Sequence, residues 1–135
     1  MVEIITEPAP EAALSVECRG GALKNEFGEA REYFAKHLAG WNAVPISLTF
    51  PITAFVVREI KGKIGCSLGP LSDYVTLALG GVKNTSTLAH EIGHACNLWH
   101  SGDQSNLMWP DANRGDKVKW FQKNLLRSSR HVLYW

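Results

Sequence analysis

The chain has 135 residues, 45% of them hydrophobic and 20% charged, which fits one globular domain large enough to bury a core. Fourteen basic residues against thirteen acidic leave a net charge of +1. That excludes the strongly basic character of a nucleic-acid binder and gives no electrostatic reason to sit on a membrane. No stretch approaches the ~20 apolar residues of a membrane span. Met1 to Pro10 lacks the basic start and apolar run of a secretory signal. The cysteines, Cys18, Cys66 and Cys96, allow at most one intrachain disulfide, contain no C-x-x-C pair, and leave the pairing open.

Residues 1–13, with Pro8 and Pro10, read as an extended lead-in. Leu14 to Cys18 suits a short strand before Gly20-Gly21. From Ala22 to Ala39, the positions Leu23, Phe27, Ala30, Phe34 and Leu38 recur at helical spacing, and Gly40 is a natural stop. Ile46, Leu48 and Phe50 alternate as in a strand that ends at Pro51. Ala54 to Ile60 reads as the next strand and Lys61-Gly62-Lys63 as a turn. Ile64 to Leu68 suits a short edge strand closed by Gly69-Pro70, and Tyr74 to Leu79 a further strand ended by Gly80-Gly81.

Thr85 to Cys96 reads as a helix, with Asn84, Thr85 and Ser86 all able to cap its start. Residues 97–113, rich in Asn, Asp, Gly and Pro, read as loop. A last helix is expected over Asp116 to Arg130, with Val118, Phe121, Leu125 and Leu126 on its buried side. Its basic residues, Lys117, Lys119, Lys123, Arg127 and Arg130, read as a solvated face. The order of elements suits a single α+β domain, with helices packed on one twisted sheet.

The chemistry concentrates in His90-Glu91-Ile92-Gly93-His94-Ala95-Cys96-Asn97-Leu98-Trp99-His100. Residues four apart share one helix face, so His90 and His94 can direct imidazoles at one metal ion. Glu91 neighbours that face and can reach an activated water without being a ligand, as metal-assisted hydrolysis requires. A catalytic zinc usually takes three protein ligands. On a straight helix, His100 would lie about 9 Å further along the axis than His94. The chain must therefore turn back, and Asn97 tolerates the left-handed conformation that ends helices. Cys96, about 200° around the helix from His94, points away from the metal. Three of the five histidines fall in this stretch. His37 and His131 read as surface or helix-end residues.

These residues resemble the signature of the metzincin clan of zinc peptidases, H-E-x-x-H-x-x-G-x-x-H followed by a methionine-containing turn. Asn106-Leu107-Met108-Trp109-Pro110 is similar to that turn, and Ser101 after the third histidine most resembles the matrixin branch. The resemblance implies a zincin-like α+β fold: a small mixed sheet with an antiparallel edge strand, an active-site helix, a Met-turn over 105–110 and a C-terminal helix. It implies one catalytic Zn2+ on His90, His94 and His100, with Glu91 as general base. It implies Met108 as an apolar floor and Trp109 and Pro110 as one wall of a substrate pocket. Gly65-Cys66-Ser67-Leu68-Gly69 resembles the edge segment on which an extended peptide pairs, which makes Cys66, Ser67 and Leu68 further pocket candidates. The implied activity is endopeptidase, the partner an extended peptide or protein, and the setting secreted or extracytoplasmic. No nucleic acid, membrane or second copy is expected. Asn97 replaces the glycine of the signature, and the ligands of a second zinc or of calcium are missing, so a minimal one-zinc version is expected. The same chemistry would suit an amide in a cell-wall polymer, and a domain without turnover would remain a zinc-containing binding module.

Overall fold

A computed structural model describes residues 8–18, 28–38 and 51–132. Over these residues the protein is a mixed α+β domain with two small sheets. The expected strand at Ile46 to Phe50 and the first part of the Ala22 to Ala39 helix lie outside the described residues.

Helix α1 (Glu11–Leu14) runs directly into β1 (Ser15–Val16). Helix α2 (Glu29–Lys36) buries Ala30 and Phe34, one turn apart, as the apolar spacing requires. Strand β2 (Thr53–Val57) alternates, with Phe55 and Val57 inward and Ala54 and Val56 outward. It is followed by β3 (Glu59–Ile60), β4 (Gly65–Ser67) and β5 (Tyr74–Ala78). All five residues of β5 are buried because it is the central strand. It pairs in parallel with β2 and antiparallel with β4, which forms one edge. β1 does not join this sheet. It forms a separate two-stranded parallel ladder with β3, so the single sheet expected from the sequence is divided in two.

The core between α2 and the three-stranded sheet is aromatic. Phe34 lies 4.7 Å from Phe55 and 5.2 Å from Tyr74, ring centre to ring centre. Cys18 and Cys66 form a disulfide across 48 positions, and Cys96 is free and buried. Closing a loop of that length stabilises the fold by about 4 kcal/mol through the entropy of the unfolded chain. The bridge ties the segment after β1 to the edge strand β4.

Helix α3 (Thr85–Ala95) packs on β4 and β5. The Asn84 side chain caps it by accepting from Ser86 N at 3.1 Å. The last helix, α4 (Trp120–Ser128), starts later than the expected Asp116. The preceding residues are held in extended backbone pairing: Leu107 N donates to Lys117 O at 2.9 Å and Lys117 N to Ser105 O at 3.1 Å. Its buried face also differs. Phe121 is 46% exposed, whereas Gln122 is 3% exposed; Val118, Leu125 and Leu126 are half-buried.

Candidate metal centre

Helix α3 brings His90 and His94 onto one face, a turn apart. It ends in a Schellman arrangement: Leu98 N donates to Gly93 O at 2.8 Å and Asn97 N to His94 O at 2.9 Å. Asn97 has φ +68°, and among the described residues no other non-glycine residue has positive φ. The turn folds the chain back on the helix, as Asn97 led us to expect. His100 thereby returns to the other two histidines.

The Nε2 atom of His94 lies 3.1 Å from Nε2 of His90 and 3.1 Å from Nε2 of His100. One ligand atom from each of the three falls within 4.8 Å of the others. Two rings are fixed from behind. His90 Nδ1 is 2.8 Å from Leu107 O, and His94 Nδ1 is 2.7 Å from Leu98 O. A carbonyl oxygen only accepts, so each Nδ1 carries the proton and each Nε2 presents a lone pair. Facing lone pairs at 3.1 Å repel one another, and a cation among them turns that repulsion into coordination. Nitrogens about 2.0–2.1 Å from a tetrahedral ion lie roughly 3.3 Å apart, close to the observed spacing. The three histidines can therefore hold a metal ion, and the backbone carbonyls behind them orient the rings.

Burial lowers all three imidazoles below their ordinary range. His90 falls to about 4, against the opposing hydrogen bond to Leu107 O and aided by the charges of Arg114, His94 and His100. His94 and His100 are lowered mainly by desolvation, with Lys63 and Arg114 adding to the effect. The three imidazoles are thus neutral at neutral pH, the form that coordinates metal.

Glu91 is 7% exposed. Burial pushes its carboxyl up to about 7, opposed by the charges of Lys63 and Arg114. The carboxylate lies against the backbone of β4. A Cβ on Gly65 would stand 2.7 Å from Glu91 Oε1, so only glycine lets the edge strand approach the carboxylate this closely.

Met108 is fully buried, 0% exposed, beneath α3. A Cβ on Gly93 would stand 2.6 Å from Met108 Sδ, so the helix admits the thioether through a missing side chain. Asn106 shapes the turn: its Oδ1 accepts from Met108 N at 2.9 Å. Asn106 and Gln122 exchange amide hydrogen bonds at 2.8 and 3.2 Å, and both are buried. Gln122 Oε1 also accepts from Lys119 N at 2.8 Å, so the start of α4 braces the turn that positions Leu107 O behind His90.

The other candidates are placed as follows. Trp109 is half-buried and Pro110 exposed, and their carbonyls hold the Arg114 side chain. Ser67, the last residue of the edge strand, and Leu68 after it are half-buried. Cys66 turns its side chain into the core, where it is bonded to Cys18, so it offers only backbone to the edge. His37 packs against Tyr33 and His131 lies 4.0 Å from Asp73; neither joins the metal cluster. Comparison with known protein families, curated proteins and solved structures finds no match. Sequence reasoning assigned no role of their own to Gly65, Gly93 and Asn106, which it quoted only within motifs, and missed Gln122, Lys63 and Arg114. Gly65, Gly93 and the Asn106–Gln122 pair act through contacts between segments distant in the chain, which no local spacing announces.

Proposed function

We propose that this domain is a minimal, single-zinc endopeptidase of the metzincin type. One observation carries the reading: three Nε2 atoms converge, two of them with lone pairs set by backbone carbonyls, next to the buried carboxylate of Glu91, which lies outside that cluster. A purely structural site has no need of such a carboxylate. The Schellman turn at Asn97, the Met108 floor and the antiparallel edge strand β4 support the same reading.

In this reading His90, His94 and His100 hold the zinc. Bound zinc polarises a carbonyl and acidifies water. Glu91 takes the proton from the attacking water and passes it to the leaving amine. Its burial strengthens both transfers by excluding competing solvent. β4, whose outer edge has no strand partner among the described residues, would receive an extended substrate by backbone pairing. Met108 excludes water below the ligands. The disulfide supports action in an oxidising compartment.

The test is paired. Zinc content is measured, then cleavage of an unfolded protein by the wild type and by Glu91→Gln. Near-stoichiometric zinc in both, with cleavage by the wild type alone, is the expected result. His100→Ala should weaken zinc binding by a factor on the order of 100 or more. A wild type that binds no zinc would end the proposal. Zinc without turnover would leave a binding module, and cleavage confined to cell-wall amides would change the substrate class.

A further inference from the structure

Helix α4 turns its two largest apolar side chains outward. Trp120 is 76% exposed and Phe121 46%. Gln122 sets this rotation, because its amide is buried against Asn106 in the Met108 turn. At about 100° per residue, Trp120, Lys123, Asn124 and Arg127 then lie on the side away from that turn, with Phe121 on its flank. All five are exposed. The Trp120 and Phe121 rings pack edge to face, 6.3 Å between centres and 87° between planes. They form one aromatic knob at the start of the helix.

The net charge of +1 conceals a segregation of charge. From residue 114 to residue 130, six basic residues accompany one acidic residue, Asp116, while the rest of the chain carries eight basic and twelve acidic. Within that segment Lys119 lies 3.9 Å from Asp103, and Arg130 pairs with Asp73. Lys117, Lys123 and Arg127 are exposed and have no ion-pair partner among the described residues. A solvated helix face accounts for the cations alone. It does not account for two large rings held together in water beside them, since contiguous exposed apolar surface marks a contact site.

A partner that fits this face is apolar and anionic at once. A membrane surface with acidic headgroups is both: aromatic rings settle at headgroup level, and Lys and Arg reach the phosphates on their flexible stems. A single-stranded nucleic acid fits less well. It lies in a groove and stacks its bases on open ring faces, whereas the helix face is convex and the edge-to-face pair already covers part of one ring. None of the described helices is long and apolar enough to cross a membrane, so the contact is with the surface. We infer that the exposed face of α4 docks the domain on an anionic lipid surface, with Trp120 and Phe121 entering the headgroup layer and Lys123 and Arg127 on the lipid phosphates. The Gln122 side of the helix, which braces the Met108 turn, faces away from the lipid. Docking therefore does not depend on the metal centre or on the peptidase reading.

The test is co-sedimentation of the full chain with vesicles of pure phosphatidylcholine and with vesicles of equal parts phosphatidylcholine and phosphatidylglycerol. The wild type should favour the anionic vesicles on the order of a hundredfold. Lys123→Gln/Arg127→Gln should lose at least tenfold of that affinity at about 0.1 M salt and much less at about 0.5 M, where charge is screened. Trp120→Ala should weaken binding roughly tenfold at both salt concentrations, because ring insertion is not screened. Lys61→Gln removes one positive charge outside the segment and should bind as the wild type does. All these positions are exposed, so the variants keep the fold, which matching thermal unfolding verifies. Equal binding to the two kinds of vesicle would overturn the inference, as would α4 variants that bind like the wild type. A loss in Lys61→Gln as large as in Lys123→Gln alone would reduce the effect to net charge and overturn it too. An oligothymidylate bound more tightly than the anionic vesicles, by fluorescence anisotropy, would replace the lipid with a nucleic acid.

Discussion

Gly93→Ala probes the junction between the metal helix and the methionine beneath it. The new methyl group would stand 2.6 Å from Met108 Sδ, 3.2 Å from Met108 Cε and 3.5 Å from Leu98 Cδ1. Ordinary contact begins near 3.5 Å, so the thioether must retreat by about 1 Å. Met108 is fully buried, though its side chain is flexible. Overpacking of this kind costs about 1–3 kcal/mol, a fall in Tm of roughly 4–12 °C for a domain of this size. Met108→Ala alone should cost about 2–5 kcal/mol by leaving a cavity. In the double variant the methyl group enters that cavity, and alanine is a better helix former than glycine by about 1 kcal/mol. Gly93→Ala should then be neutral or stabilising, a coupling of roughly 1–3 kcal/mol. The assay is denaturant unfolding of all four proteins with metal removed by chelator. A competitive zinc titration follows: displacement of Met108 moves the Leu107 carbonyl that orients His90, and affinity should fall about 10-fold to 100-fold. Equal costs for Gly93→Ala in both backgrounds would refute the packing argument. An unchanged zinc affinity would refute the link from Met108 to His90.

Gln122→Ala removes the acceptor of Asn106 Nδ2 and Lys119 N and the donor to Asn106 Oδ1. Leaving the buried Asn106 Nδ2 without an acceptor should cost about 1–3 kcal/mol in urea unfolding. Zinc affinity should fall along with stability, and Gln122→Leu should not restore it; a variant as stable as the wild type would show that the amide pair braces nothing. Gly65→Ala places a Cβ 2.7 Å from Glu91 Oε1 and 2.8 Å from Thr87 Cγ2. If the proposed peptidase function holds, it should keep near-stoichiometric zinc, since none of the three histidines is touched, and lose cleavage by a factor on the order of 100 through misplacement of Glu91. Zinc content and turnover falling together would mean that β4 supports the whole centre and not Glu91 in particular.

The three-histidine cluster was legible in the sequence because its grammar is local. The His90 to His94 interval is one helical turn, Glu91 is their neighbour, and Asn97 occupies the position where a helix can reverse; φ +68° there is what that reading required. Strand positions were legible for a similar reason: Phe55 and Val57 alternate with outward residues, and β5 is apolar throughout. Pairing was not. Nothing in Ser15–Val16 says that it joins Glu59–Ile60 and leaves the main sheet alone, because a two-residue strand carries too little pattern to choose its partner. The last helix misled for a physical reason. An amphipathic helix is expected to bury its largest apolar residues, so Phe121 was assigned inward. α4, however, packs on the backbone of the Met108 turn, whose amide groups need polar partners. Burying Gln122 satisfies Asn106 and the helix start together, which Phe121 cannot do, and a rotation of about 100° per residue then carries the aromatic ring outward. The same logic hides Gly65 and Gly93. A glycine shows in the sequence only as a missing side chain, and what fills the space comes from another segment: Glu91 against the one, Met108 against the other. The candidate ligands are thus a local property of one helix and its turn. Their orientation, the floor beneath them and the seat of the carboxylate are properties of the tertiary fold.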